Sequence, residues 1–256
     1  MEIDPTQRFG TRAEHYRRFR PAYPAQFLQW LGERCGLAPG RVVADLGAGT
    51  GILSAQLLDV GARVWAVEPN PAMRAAAEGL LGAREGFTSV EGTAEATTLA
   101  PGSVSLVTAG QAFHWFDPLR ARAEAVRILA PDGWAALVWN EHGSADIPFM
   151  ADYEALLRCH APEYAAIRAR RAYVPAMRTF FGGEPERVVF PNQQVLDFEG
   201  LQGRTLSSSY VPERGEPGHE ALLAELRVLF ARHQCRGRVI FPYETQAFCG
   251  QPGRRG

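Results

Sequence analysis

Lysine is missing altogether: all 27 cationic side chains of this 256-residue chain are arginine. That absence excludes Schiff-base catalysis, a P-loop phosphate clamp and a Tyr-x-x-x-Lys relay, and the Arg/Ala/Gly-rich usage suggests a GC-rich bacterial genome. Cysteine is scarce, and Cys35, Cys159, Cys235 and Cys249 form no C-x-x-C pair and have no histidine at ligand spacing. No metal site is expected, and the thiols read as reduced and cytosolic. Long apolar runs are absent, none approaching the ~20 residues of a membrane span, and the first ten residues lack a basic region followed by an apolar one. Charge surplus is lacking too, since 27 Lys plus Arg against 28 Asp plus Glu leave a formal net charge of -1. No global basic field exists to hold nucleic acid or an anionic membrane. The expectation is a cytoplasmic protein, monomer or homodimer, acting on a small molecule.

What is present is a rhythm of short apolar runs and helical patterns between Arg41 and Asn140, the signature of a parallel sheet covered on both faces. Strands are expected at Val42–Leu46, Val64–Val67, Val104–Val107 and Trp134–Trp139, with a weaker one at Phe87–Val90. Asn70 and Asp117 each precede a proline that opens a helix, over Pro71–Leu81 and Leu119–Ala130, because an N-cap side chain and a proline at the first position suit amides that have no helical partner. Pro131-Asp132-Gly133 reads as a turn. Gly10–Phe19 and Ala25–Gly36 read as helices split by Pro21 and Pro24. Beyond Asn140 the rhythm breaks into short helices at Phe149–His160, Pro162–Ala172 and Val174–Phe181, strand-like Arg187–Phe190 and Val195–Phe198, a helix at Glu220–His233 and a late strand at Arg238–Phe248. One domain is expected over 1–256: a helical cover to residue 40, a core over 41–140, a cap over 141–210 above the substrate, and a closing helix and strand over 211–249. Gly250–Gly256 reads as a frayed tail.

Asp45-Leu46-Gly47-Ala48-Gly49-Thr50-Gly51 follows the first strand and opens a helix, so its glycines let the chain turn sharply and a ligand approach the backbone at the sheet's carboxyl edge. A dinucleotide fingerprint needs G-x-G-x-x-G, yet position 52 is Ile52, which disfavours a nicotinamide oxidoreductase. Glu68 ends the second strand 21 residues beyond Gly47, where a carboxylate can accept both hydroxyls of a ribose. This D-L-G-x-G-T-G run with its acidic residue resembles the class I S-adenosylmethionine (SAM)-dependent methyltransferases of type 11. Gln111-Ala112-Phe113-His114-Trp115 after the fourth strand, Tyr16 to Pro24, and Ser207 to Pro212 are similar to a narrower subgroup that contains trans-aconitate methyltransferase and a fungal enzyme acting on the cantharidin diacid.

The resemblance implies a Rossmann-like α/β fold with a seven-stranded, mostly parallel sheet, one antiparallel strand at Arg238–Phe248, and a helical insertion after strand five. It implies SAM as cofactor, with S-adenosylhomocysteine as product. Gly47, Ala48, Gly49, Gly51, Asp45, Glu68, Pro69 and Met73 would lie along the cofactor, Thr93, Ala94 and Glu95 at the adenine, Gln111 at the reactive end, and Tyr16 and Arg20 over the methionine end. A sulfonium methyl is a strong electrophile with a neutral leaving group, so the protein mainly has to align it with the acceptor in a dry pocket. A carboxylate acceptor needs only positioning, whereas a phenol, alcohol, amine or activated carbon must lose a proton. His114 is the first catalytic candidate, as base or orienter. Gln111, His114, Trp115, Trp139, Arg204 and Tyr210 are the substrate-side candidates, and no metal is expected. The rival reading is a protein that binds SAM without transferring its methyl group. A base-methylating enzyme is disfavoured because no Asn/Asp-Pro-Pro-Tyr/Phe tetrad follows strand four.

Overall fold

In the computed structural model of the chain, residues 18–164 and 174–253 are described. Helix α1 (Ala25–Cys35) starts after Pro24 and stops at Gly36, whose φ of 71° is the left-handed conformation that glycine adopts without strain. A repeated strand–helix pattern follows: β1 (Val42–Leu46), α2 (Ile52–Asp59), β2 (Arg63–Val67), α3 (Pro71–Leu81), β3 (Phe87–Val90), β4 (Val104–Gly110), α4 (Pro118–Ile128) and β5 (Leu129–His142). Asn70 and Asp117 both cap as expected, each side chain accepting from two amides of the helix it opens. After β5 come α5 (Pro148–His160), α6 (Val174–Phe181), β6 (Glu186–Leu196), α7 (Phe198–Leu206), α8 (His219–His233) and β7 (Val239–Gly250).

The seven strands form one sheet in the order β3-β2-β1-β4-β5-β7-β6, and β7 runs antiparallel to both of its neighbours. This is the expected fold, with the antiparallel strand where the sequence put it. Three details differ. Pro131-Asp132-Gly133 does not end a turn before β5 but lies within it, taken up by a register shift against β4 between Val104 and Leu106. The two strand-like pieces near residue 190 are one strand running through Pro191, which the sheet's edge position tolerates. The region after β5 is therefore not wholly a helical insertion, because β6 joins the main sheet. The second piece ends at Leu196 and not at Phe198, because Asp197 accepts from Gly200 N and starts α7. Of the helices expected at Gly10–Phe19 and Pro162–Ala172, residues 10–17 and 165–172 lie outside the described residues.

Strand parity sorts the side chains into separate cores. Ala44, Leu46, Val107, Ala109, Leu137 and Trp139 face α4 and α6, where Ala121, Ala125, Phe180 and Phe181 fill the space. Val43, Val64, Leu106, Ala136 and Val138 face α1 and α2, against Phe27, Leu31, Leu53 and Leu57. Each valine, leucine or phenylalanine among them, once fully buried, contributes about 1.5–3 kcal/mol. A third core joins α5, α7 and α8 to Phe241 and Tyr243 at the start of β7. That last cluster is the cap.

Candidate functional site

The carboxyl ends of β1, β2 and β4 open on a cavity of about 230 Å³. Its floor is the turn after β1. Gly47, Gly49 and Gly51 all have positive φ, and the three serve different ends. A Cβ at Gly47 would lie 2.6 Å from Ala112 Cβ and one at Gly51 would lie 2.7 Å from Leu81 Cδ1, whereas one at Gly49 would meet nothing within 4 Å. Gly51 thus lets α2 pack on α3 and does not line the cavity, while Gly49 leaves the floor open to a ligand.

Two carboxylates border this floor and do different work. Asp45 is fully buried on the cavity wall, but its oxygens already accept from Ser54 Oγ at 2.7 Å and Thr108 Oγ1 at 2.9 Å. Burial pushes its pKa up to about 6, against the pull of those two hydroxyls. Glu68 accepts from Gly49 N at 2.9 Å and Asn70 N at 2.8 Å. Its pKa is raised by burial, opposed by the Asn70 and Gly49 amides. An ionised carboxylate offers about four acceptor positions, so Glu68 is oriented by backbone and keeps capacity for a ligand's hydroxyls. Thr50 Oγ1 is buried without a hydrogen-bond partner among the described residues, and Thr50 lines the cavity. A buried hydroxyl left unmatched is costly, which fits a ligand that brings polar atoms to this wall.

Of the residues singled out from sequence, the structure brings Arg20, Asp45, Gly47, Ala48, Gly49, Glu68, Pro69, Met73, Thr93, Ala94, Glu95, Gln111 and Trp115 around one cavity. Tyr16 lies outside the described residues. His114 sits in a single 3-10 turn, Phe113–Trp115, with its ring 4.8 Å from that of Trp115, and does not line the cavity although Ala112, Trp115 and Phe116 do. Trp139 is a correction: its odd-numbered position on β5 turns it into the α4 side of the sheet, 1% exposed, edge-on to Phe113 and Phe248. Tyr210 packs against Tyr164 with ring centroids 5.0 Å apart, and it too stands off the cavity.

Arg204 is likewise displaced from the cavity into the cap. It is 1% exposed and donates to Tyr243 Oη at 2.7 Å, Ser208 Oγ at 3.2 Å and His142 Nε2 at 3.0 Å. Because a guanidinium only donates, His142 Nε2 accepts, and its Nδ1 lies 3.7 Å from Glu154 Oε1. Arg20 reaches from the cavity to the same Ser208 Oγ at 3.2 Å, so one hydroxyl links the two arginines.

The sequence reading passed over Tyr23. Its ring lies against the end of β4: a Cβ on Gly110 would sit 2.5 Å from Tyr23 Oη. Gln111, next along, is a non-glycine at φ 59°, a left-handed conformation that is uncommon outside glycine and is held here by Gln111 N donating to Val138 O. The R-P-x-Y-P run was visible, but nothing in it told which aromatic would cover which strand end.

Residues 44–137 match the family model described as a methyltransferase domain. An uncharacterized methyltransferase of Mycobacterium tuberculosis is 42% identical over 137 residues, 54% of this chain and 54% of the relative. The chain thus spans about half the length of the mycobacterial relatives it matches. An uncharacterized methyltransferase-like protein of Schizosaccharomyces pombe is 27% identical over 253 residues, 95% of this chain and 94% of the relative. Among solved structures, that of a candidate type II methyltransferase from Anaeromyxobacter dehalogenans is similar with a TM-score of 0.69 and 27% identity, over 93% of this chain and 100% of that one. Residues 44–137 are thus similar to a methyltransferase domain, and they lie within a seven-stranded class I methyltransferase fold.

Proposed function

We propose that the protein transfers a methyl group from SAM to a small-molecule acceptor in specialised metabolism. The observation that carries the reading is the cavity at the carboxyl edge, where the Gly47–Gly49 floor, the oriented Glu68 carboxylate and the unmatched Thr50 hydroxyl converge. When bound, SAM supplies an electrophilic methyl on a leaving group that departs neutral. Glu68 would accept from the ribose hydroxyls, and Thr93, Ala94 and Glu95 would border the base. Arg20 would meet a carboxylate at the opposite end, where guanidinium geometry suits two parallel hydrogen bonds. Gln111 and Trp115 flank the space left for the acceptor.

The acceptor class that best suits this end is a small carboxylic acid, in line with the sequence likeness to the trans-aconitate subgroup. Such an acceptor is ionised at neutral pH and requires alignment but no base. No helix among the described residues is long and apolar enough to cross a membrane, which accords with a cytoplasmic small-molecule enzyme. The test is to incubate the purified protein with SAM and a panel of carboxylic acids, phenols, amines and cyclic ketones, following S-adenosylhomocysteine release and product mass. A product heavier by one CH2 is expected. Tight SAM binding with no turnover on any acceptor would favour a non-methylating SAM protein, and nicotinamide binding in place of SAM would revive the oxidoreductase reading.

A further inference from the structure

One wall of the cavity is a strap, residues 19–23, that has almost no means of joining a sheet. Pro21 within it and Pro24 just after it bring no N–H, yet four of the strap's carbonyls are taken by side-chain amides from three other elements. Gln194 Nε2 donates to Phe19 O at 3.1 Å, Asn192 Nδ2 to Ala22 O at 2.8 Å, and Gln56 Nε2 to Tyr23 O at 2.7 Å. Asn140 Nδ2 is shared between Pro21 O at 3.4 Å and Ala22 O at 3.3 Å. Gln56 also accepts from Tyr23 N at 2.9 Å, closing a two-bond bridge that imitates a strand pair.

Asn140 is the hub of this arrangement and is only 5% exposed. Its Oδ1 accepts from Thr245 Oγ1 and Asn192 Nδ2, and its main-chain oxygen accepts from Gln111 Nε2 at 3.1 Å. It therefore ties together the two sides of the cavity's acceptor end: the strap bearing Arg20 and Tyr23, and the end of β4 bearing Gly110 and Gln111. Strand parity explains how. Asn140 continues the Ala136, Val138 face of β5 toward α1, whereas Asn192 and Gln194 share one face of the edge strand β6.

We infer that Asn140 and Asn192 are positioning residues for methyl transfer: by clasping the Ala22 carbonyl they set the distance between Tyr23 and Arg20 on one wall and Gln111 on the other. This rests on the methyltransferase reading, and the experiment separates the two. Wild type, Asn140→Asp, Asn192→Leu and Thr245→Val are compared by calorimetric titration with SAM and by hydrogen exchange at the Tyr23 amide. Asn140→Asp preserves shape and the bonds from Thr245 and Asn192, but it replaces the donor facing Pro21 O and Ala22 O. Thr245→Val removes a bond to the same asparagine without touching the strap.

Both strap variants should weaken SAM binding about 10-fold, the equivalent of one lost hydrogen bond of ~1.4 kcal/mol, and accelerate Tyr23 exchange while core amides of β1 and β4 stay protected. Thr245→Val should leave both readouts at the wild-type level. Equal effects of all three variants, or uniform acceleration across the core, would reduce Asn140 to a general stability residue and overturn the inference. Wild-type protein that fails to bind SAM would sink the methyltransferase reading instead, and unchanged Tyr23 exchange in Asn140→Asp would then overturn the clasp independently.

Discussion

The two ends of the molecule bury charge in opposite ways. At the cavity, Asp45 is held by hydroxyls from α2 and β4, and Glu68 by backbone amides of the glycine-rich turn and the cap of α3, so the charges are fixed by the fold and border open space. In the cap, Arg204, His142 and Glu154 are turned toward one another and toward Tyr243, Tyr153 and Tyr164, away from any described opening. At the cavity edge the Glu68 carboxylate is oriented by main chain and keeps acceptor capacity, whereas in the cap charge is matched by other side chains. The glycine turn can be read from sequence, but the cap's matching depends on which helices meet.

Substitutions should separate these two uses. Arg204→Ala leaves Tyr243 and His142 without their buried donor, Ser208 keeping Arg20, and should lower stability by about 2–5 kcal/mol, seen as a fall in the denaturation midpoint with SAM affinity changed no more than about 2-fold. A larger loss of affinity at unchanged stability would place Arg204 in the binding machinery after all. Asp45 predicts a pH effect whose sign follows from its raised pKa. Between roughly pH 4 and the folded value of about 6, the native state keeps a proton that the unfolded chain has released. Stability should therefore be highest at the acid end and decline by about 3 kcal/mol as pH rises to 6. Asp45→Asn should flatten that limb in urea titrations across the range, and an unchanged slope would show that the carboxyl ionises as easily as in the open chain.

Glu68→Gln turns an amide donor toward Gly49 N or Asn70 N and should cost about 2 kcal/mol of SAM binding, roughly 30-fold in Kd, with a smaller midpoint change than Arg204→Ala. His114→Ala should be the mildest. General-base catalysis is worth roughly 10²–10⁴ in rate and requires contact with the reacting group, so a residue that stands off the cavity should alter kcat by less than about 10-fold. A loss of 100-fold with SAM binding intact would bring His114 to the acceptor.

Much of this architecture is legible in the sequence. β1 and α3 match their expected limits residue for residue, because an apolar run in one case and an N-cap with proline in the other are local signals. The cavity floor was legible for the same reason, since it is built from backbone that only glycine permits. Trp139 was not: the alternation along β5 is plain, but which parity faces the ligand is settled by the helices on each side. Helix α7 hid as well, because Gly200 and Gly203 depress its propensity. Gly203 is there for the approach of Phe19, whose ring atoms would lie 2.3 Å from a Cβ at that position. Tyr23 and Asn140 act through contacts more than 80 residues apart in sequence, and no local pattern announces such pairs.

The contact between Gly110 and Tyr23 also sets a rule for redesign and for divergence. With Tyr23 Oη 2.5 Å from where a Cβ would stand, the two positions share a fixed volume: residue 110 can grow only if residue 23 shrinks. Gly110→Ala alone should jam the strap, whereas Gly110→Ala combined with Tyr23→Leu should restore it with a differently shaped recess. Positions 23 and 110 thus behave as a bump and its hole, a single adjustable gauge for the bulk of molecule admitted at that end.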